Sequence, residues 1–223
     1  MPQMKVEVWH NSGGLVQQQE AFEAIADACD QIYNDTGIGY SVRERSGEFN
    51  INTGNDTNEM LNLFEADLDS KGYYDSDESR AYILVYDNSF EGGWEGQARY
   101  QTGNPDDDSD RDYLSEGNRY GLAVVGWDSD VAGNKNVAVH ETLHTFMEDN
   151  YSGDPDLTDH ESGVIDFKDE VSPMITGYGD EFNGNGPDEI CADNGDPSAY
   201  TSLLSTCTEN SVEDYMKNTF NNK

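Results

Sequence analysis

Residues 140–144 read His-Glu-Thr-Leu-His, a spacing that makes chemical sense on a helix. Positions four apart on a helix share one face, so His140 and His144 can aim two ring nitrogens at one point. That is a zinc-ligating arrangement. Glu141, next to the first imidazole, is placed to take a proton from water that such an ion activates. The plain alternative is a pair of histidines packed in a core. The neighbouring residues speak against it, because Val139, Leu143 and Phe146 already form an apolar stripe for the core. His140, Glu141, His144 and Met147 or Glu148 follow another stripe, so the helix is expected to be buried on one side and to carry ligands on the other.

The rest of the chain supplies a frame for such a helix. Lys5–Trp9 alternates as a strand. Phe22, Ile25, Ala26, Cys29, Ile32 and Tyr33 mark an amphipathic helix over Val16–Tyr33, stopped by Asn34-Asp35-Thr36-Gly37. Tyr40–Arg45 reads as a second strand, and Met60, Leu61, Phe64 and Leu68 as a helix over Asn58–Leu68. Ala81–Tyr86 is the most apolar run and the expected central strand. A Gly- and Asp-rich excursion from Asn88 to Asn118 has room for a short strand or hairpin. Leu122–Trp127 is the next strand, with Asp128-Ser129-Asp130 and Asn134 as N-cap candidates for the motif helix. After Asn150 the chain turns to Gly, Asp, Pro and Asn, with regular structure returning at Ser198–Leu204 and in a terminal helix over Val212–Phe220. The expected fold is α+β: a twisted mixed sheet with covering helices and a central motif helix. A single domain is expected, with an upper lobe over about 1–149 and an irregular lower lobe over about 150–223.

A hydrolytic zinc has three protein ligands and one open position. The chain has only four histidines. His160, within Asp159-His160-Glu161, is the leading third ligand, and Asp159 is placed to orient its ring. The competing choice is a carboxylate, Glu161, Asp166 or Glu170, with Asp154 further behind.

Downstream lies Ser172-Pro173-Met174-Ile175-Thr176-Gly177-Tyr178. The HExxH helix followed by this segment resembles the metzincin clan of zinc metallopeptidases. In that family the motif extends to HExxHxxGxxH and is followed by a tight turn with a methionine beneath the metal. The resemblance makes Met174 the turn methionine and Ser172 the serine before it. Two departures stand out: Met147 replaces the family's glycine and Asn150 replaces its third histidine. The chain is therefore expected to run on as helix and to bring His160 back after a longer detour. Tyr178 stands four residues after Met174, where the family's tyrosine stands two after. It is carried over as a donor to the developing oxyanion, with a packed loop aromatic as the alternative. The specific part of the resemblance is confined to residues 140–178.

Composition narrows the setting. Against 46 acidic residues stand 12 basic ones, a net charge of −34, yet 35% of residues are hydrophobic and 11% aromatic. This is a folded acidic protein and not a disordered tail. Self-repulsion on that scale is screened within a few ångströms by molar salt, which points to a halophilic setting. Bare nucleic acid is a disfavoured partner, since phosphate contacts need basic patches. No apolar run reaches the length of a membrane span. The acid run Asp106–Asp110 lacks EF-hand spacing and reads as a solvated loop. Cys29 falls on a core stripe as a free thiol, while Cys191 and Cys207 flank a loop that a disulfide can close.

The expectation is a monomeric zinc endopeptidase acting on peptide or protein substrates, extracellular, with a cytoplasmic setting as the alternative. His140, His144 and His160 are its metal ligands, and Glu141 and Tyr178 its catalytic groups. Leu122–Trp127 is a candidate edge for an extended substrate. Two rivals stand beside it: a thermolysin-like peptidase with Asp166 or Glu170 as third ligand, and a non-catalytic zinc-binding surface module.

Overall fold

The computed structural model describes residues 3–51, 56–73, 80–87, 96–100, 120–127, 131–147, 170–174, 199–200 and 203–220 of the chain. In chain order its elements are β1 (Gln3–Asn11), α1 (Leu15–Thr36), β2 (Gly39–Phe49), α2 (Thr57–Ser70), β3 (Arg80–Tyr86) and β4 (Gly96–Tyr100). They continue with β5 (Tyr120–Gly126), α3 (Val131–His144), β6 (Glu170–Val171), β7 (Ala199–Tyr200) and α4 (Thr206–Phe220). Strand and helix alternate, so neighbouring strands β1–β2, β1–β3 and β3–β5 pair in parallel. Parallel neighbours require a crossover, and α1 carries the chain from β1 to β2. This alternation makes the fold α/β where α+β was expected, with a five-stranded mixed sheet and four helices among the described residues. The sheet order is β2-β1-β3-β5-β4, with β3 in the middle and β4 antiparallel to β5 at the edge.

Period-two alternation divides the core between the two faces of the sheet. Val6, Val8, Ala81, Ile83, Val85, Ala123 and Val125 share one cluster with residues of α1, α3 and α4. Trp9, Tyr82, Leu84, Leu122 and Val124 meet Met60, Leu61, Phe64 and Leu68 of α2 on the other. Strands β3 and β5 are covered on both faces and so read as continuous apolar runs. Helix α1 buries Ala21, Ala24, Ile25, Ala28, Cys29 and Ile32 and turns Glu23, Asp27 and Asp30 outward. It ends where Gly37 takes a left-handed φ of 76° and its N–H bonds to Tyr33 O, as a C-terminal glycine does.

Two buried polar groups brace the first strands. Glu7 takes Arg45 at 3.0 Å and Arg80 at 2.5 Å, so a buried carboxylate is paired on both oxygens. Beyond it the register shifts between Val8 and His10. There Gln18 Nε2 donates to Val8 O at 2.7 Å and Arg45 O at 2.8 Å, tying α1 to the irregularity.

Cys29 is a free, buried thiol, and burial pushes its pKa up to about 12. Cys207 is engaged in a disulfide; Cys191 lies outside the described residues. The last helix, α4, packs with the elements that precede the motif. It begins at Thr206, capped by Ser205 Oγ accepting from Thr208 N at 3.0 Å. Its Val212, Tyr215 and Met216 enter the same core cluster as α1 and α3.

Where α4 meets the end of α1, Glu209 in its first turn is buried and shares a hydrogen bond with Asp35. Burial first, and then the Asp35 hydrogen bond and charge, raise the Glu209 pKa to about 7 from an ordinary 4.5. Between those values the folded chain holds a proton that the unfolded chain has lost. This contribution to stability is therefore complete at acid pH and disappears as pH rises through the window. Thermal unfolding followed from pH 4.5 to 8 is expected to show Glu209→Gln losing less stability than wild type across that range.

Candidate metal centre

Helix α3 carries the motif and lies against β5 and β4. Val139 and Leu143 are buried, as is Phe146 just beyond the helix. Met147, expected on the ligand face, is buried in the core cluster instead. The helix does not run on past the motif. It stops at His144, where Thr145 N bonds to Thr142 O at 3.1 Å and Phe146 N to Leu143 O at 2.8 Å. These i→i+3 bonds tighten the last turn and end the helix without the family's glycine. Asn134 is not a cap either: it sits inside the helix, fully buried.

The two imidazoles converge. His140 Nε2 and His144 Nε2 are 2.9 Å apart, with ring centroids 4.5 Å apart and planes at 82°. His140 is buried and His144 half-buried. His140 Nδ1 lies 2.6 Å from Pro173 O. A carbonyl only accepts, so Nδ1 carries a proton, and Nε2 is the nitrogen a neutral ring would offer as a lone pair. Orientation of a ligand histidine through its other nitrogen is the usual support for a metal site. The separation is less than twice a Zn–N bond of about 2.0–2.1 Å, so one ion can touch both rings. Two imidazoles suit zinc as part of its ligand set, and among the described residues no third His, Cys, Asp or Glu joins them.

The same hydrogen bond brings in the downstream turn. Ser172 and Met174 are buried, and Met174 joins the core cluster with Val139, Leu143 and Phe146. The segment expected to lie below the histidines therefore packs against their helix.

Glu141 is 8% exposed and lies against the edge strand. Its Cγ is so close to Gly96 that a Cβ there would fall 2.6 Å away. One turn on, Thr145 makes a still closer approach to Gly121 on β5. Two threonines here are tied to backbone: Thr142 Oγ1 donates to Ala138 O, and Thr145 Oγ1, just past the helix, to Thr142 O, each at 2.7 Å.

His160, Tyr178, Asp154, Asp159, Glu161 and Asp166 lie outside the described residues, as do the cap candidates 128–130. Glu170 opens β6. Sequence reasoning missed the Pro173 carbonyl, because a backbone acceptor leaves no residue-type signal. It also missed Gly96, one glycine in a glycine-rich stretch. It misplaced the sheet edge too: β5 lies between β3 and β4, so β4 is the edge and Leu122–Trp127 is interior.

No protein-family profile matches the chain, and no curated protein matches it in sequence. Among solved structures, metalloproteinase-II from Bacteroides fragilis is similar over 78% of this chain and 48% of its own, at 16% identity and a TM-score of 0.44. A chaperone–substrate complex is similar over 96% of this chain and 35% of that one, at 9% identity and a TM-score of 0.50. The chain thus spans about half the length of the first and about a third of the second. At 9% identity the second likeness is one of fold alone.

Zinc measured after dialysis is expected to be stoichiometric in wild type. His140→Ala should weaken binding by more than about 100-fold, since even outer partners of a ligand are worth 10–100-fold.

Proposed function

We propose that the protein is a zinc-dependent endopeptidase of the metzincin type, adapted to high salt. The observation that carries the reading is the convergence of His140 Nε2 and His144 Nε2, 2.9 Å apart, on a helix whose next carboxylate, Glu141, is buried against an edge strand. A zinc ion, when bound, activates water at neutral pH and polarises a peptide carbonyl.

The chain's own residues do the rest. His140 and His144 hold the ion, with the Pro173 carbonyl fixing the first ring. His160 is proposed as the third ligand. Glu141 accepts a proton from the attacking water and returns it to the leaving amine. Tyr178 is proposed to donate to the developing oxyanion. Among the described residues strand β4 ends the sheet beside Glu141, so an extended peptide added along it would run past the carboxylate. Backbone pairing of this kind sets direction and leaves side-chain preference to flanking residues. The acidic surface suits substrate proteins in a salt-rich extracellular medium, where like charges are screened.

Hydrolysis of casein or a quenched peptide at molar salt tests the reading. Activity is expected to vanish with chelator and return with zinc. Glu141→Gln should bind zinc like wild type while kcat falls by about 10²–10⁴-fold. Wild-type rates in that variant, or indifference to chelator, would overturn the proposal.

A further inference from the structure

Two glycines on the paired strands β4 and β5 face residues of the motif segment, and they face it differently. Neither Gly96 nor Gly121 is among the positive-φ glycines, Gly13, Gly37 and Gly72. Backbone conformation therefore does not call for glycine at either place. A glycine inside a strand weakens it and commonly marks a close approach.

At Gly121 an added Cβ would lie 2.2 Å from Thr145 Cβ, 2.3 Å from its Cγ2 and 3.2 Å from its Cα. Threonine is stiff at χ1, and the Thr145 hydroxyl is already bonded to Thr142 O. Relief there must move backbone, so Gly121 sets how deeply the end of the helix sits on the sheet. At Gly96 an added Cβ would lie 2.6 Å from Glu141 Cγ, 2.9 Å from Oε1 and 3.0 Å from Cδ. All three atoms lie beyond Cβ of a side chain with rotatable bonds. Relief there requires only that the carboxylate swing away.

We propose that Gly96 is a positioning residue, whose missing side chain lets the Glu141 carboxylate lie against the edge strand in the place its chemistry requires. The inference rests on the peptidase reading of the same site. An alanine methyl at 96 leaves the fold and the imidazole pair intact and displaces the base. A misplacement of about 1 Å at a reacting group is enough to reduce rate by about 10²-fold.

The test compares Gly96→Ala, Gly121→Ala and Glu141→Gln as full-length proteins at high salt. Gly96→Ala is expected to bind zinc and melt like wild type and to keep KM, with kcat reduced by about 10²-fold. Its crystal structure should show the Glu141 carboxylate away from β4. Gly121→Ala should instead lose thermal stability. If Gly96→Ala also melts early, adding Glu141→Ala should restore its Tm, because that removes the clashing atoms. Unchanged kcat, a Glu141 carboxylate still in its wild-type place, or a Tm loss that Glu141→Ala does not restore would each overturn the proposal. If zinc-loaded wild type hydrolyses no peptide, the peptidase reading fails instead, and the crystal structure of Gly96→Ala still decides where the carboxylate goes.

Discussion

The depth at which α3 sits on the sheet governs the rest of the site. A helix that buries His140 and Glu141 beside Val139 and Leu143 brings polar groups into a low-dielectric interior. Such groups are costly unless bonded. The structure meets this with main-chain partners: Pro173 O for His140, and carbonyls of the helix itself for Thr142 and Thr145. The close packing of Glu141 and Thr145 needs the helix near the sheet, and the His140 bond needs it near the downstream turn. Gly121 grants the first approach and the buried Ser172–Met174 segment secures the second.

The bond from His140 to Pro173 links residues 33 apart in sequence. It makes the orientation of a ligand ring depend on the arrival of a distant segment. Met174 strengthens that dependence by joining the same apolar cluster as the motif helix and α4. The C-terminal helix, packed with α1 in this cluster, is thus part of the scaffold that holds the site and not an appendage.

Much of this was legible in the sequence because two periods dominate it. The 3.6-residue pattern of Met60, Leu61, Phe64 and Leu68 gave α2 outright, and all four side chains are fully buried. Alternation in β1 and the apolar runs of β3 and β5 located the sheet. The imidazole pair followed from spacing alone. Other features were hidden for physical reasons. The strand pairing order is a long-range property, so β5 passed for an edge when β4, five residues in a glycine-rich stretch, lies outside it. The helix end at His144 depends on a tightened turn that Thr145 and Phe146 do not announce by type. Asn134 has cap chemistry but stands within the helix, where tertiary burial overrides local preference.

Helix α1 sets the acidic exterior against the apolar interior within a few ångströms. Glu23, Asp27 and Asp30 face solvent, while Cys29, between the last two, is sealed against the sheet. With its pKa held near 12, that sulfur is no nucleophile while the core stays closed. Alkylation of Cys29 therefore proceeds only as often as α1 parts from the strands. The buried thiol thus serves as a native stopwatch for the opening of the interior.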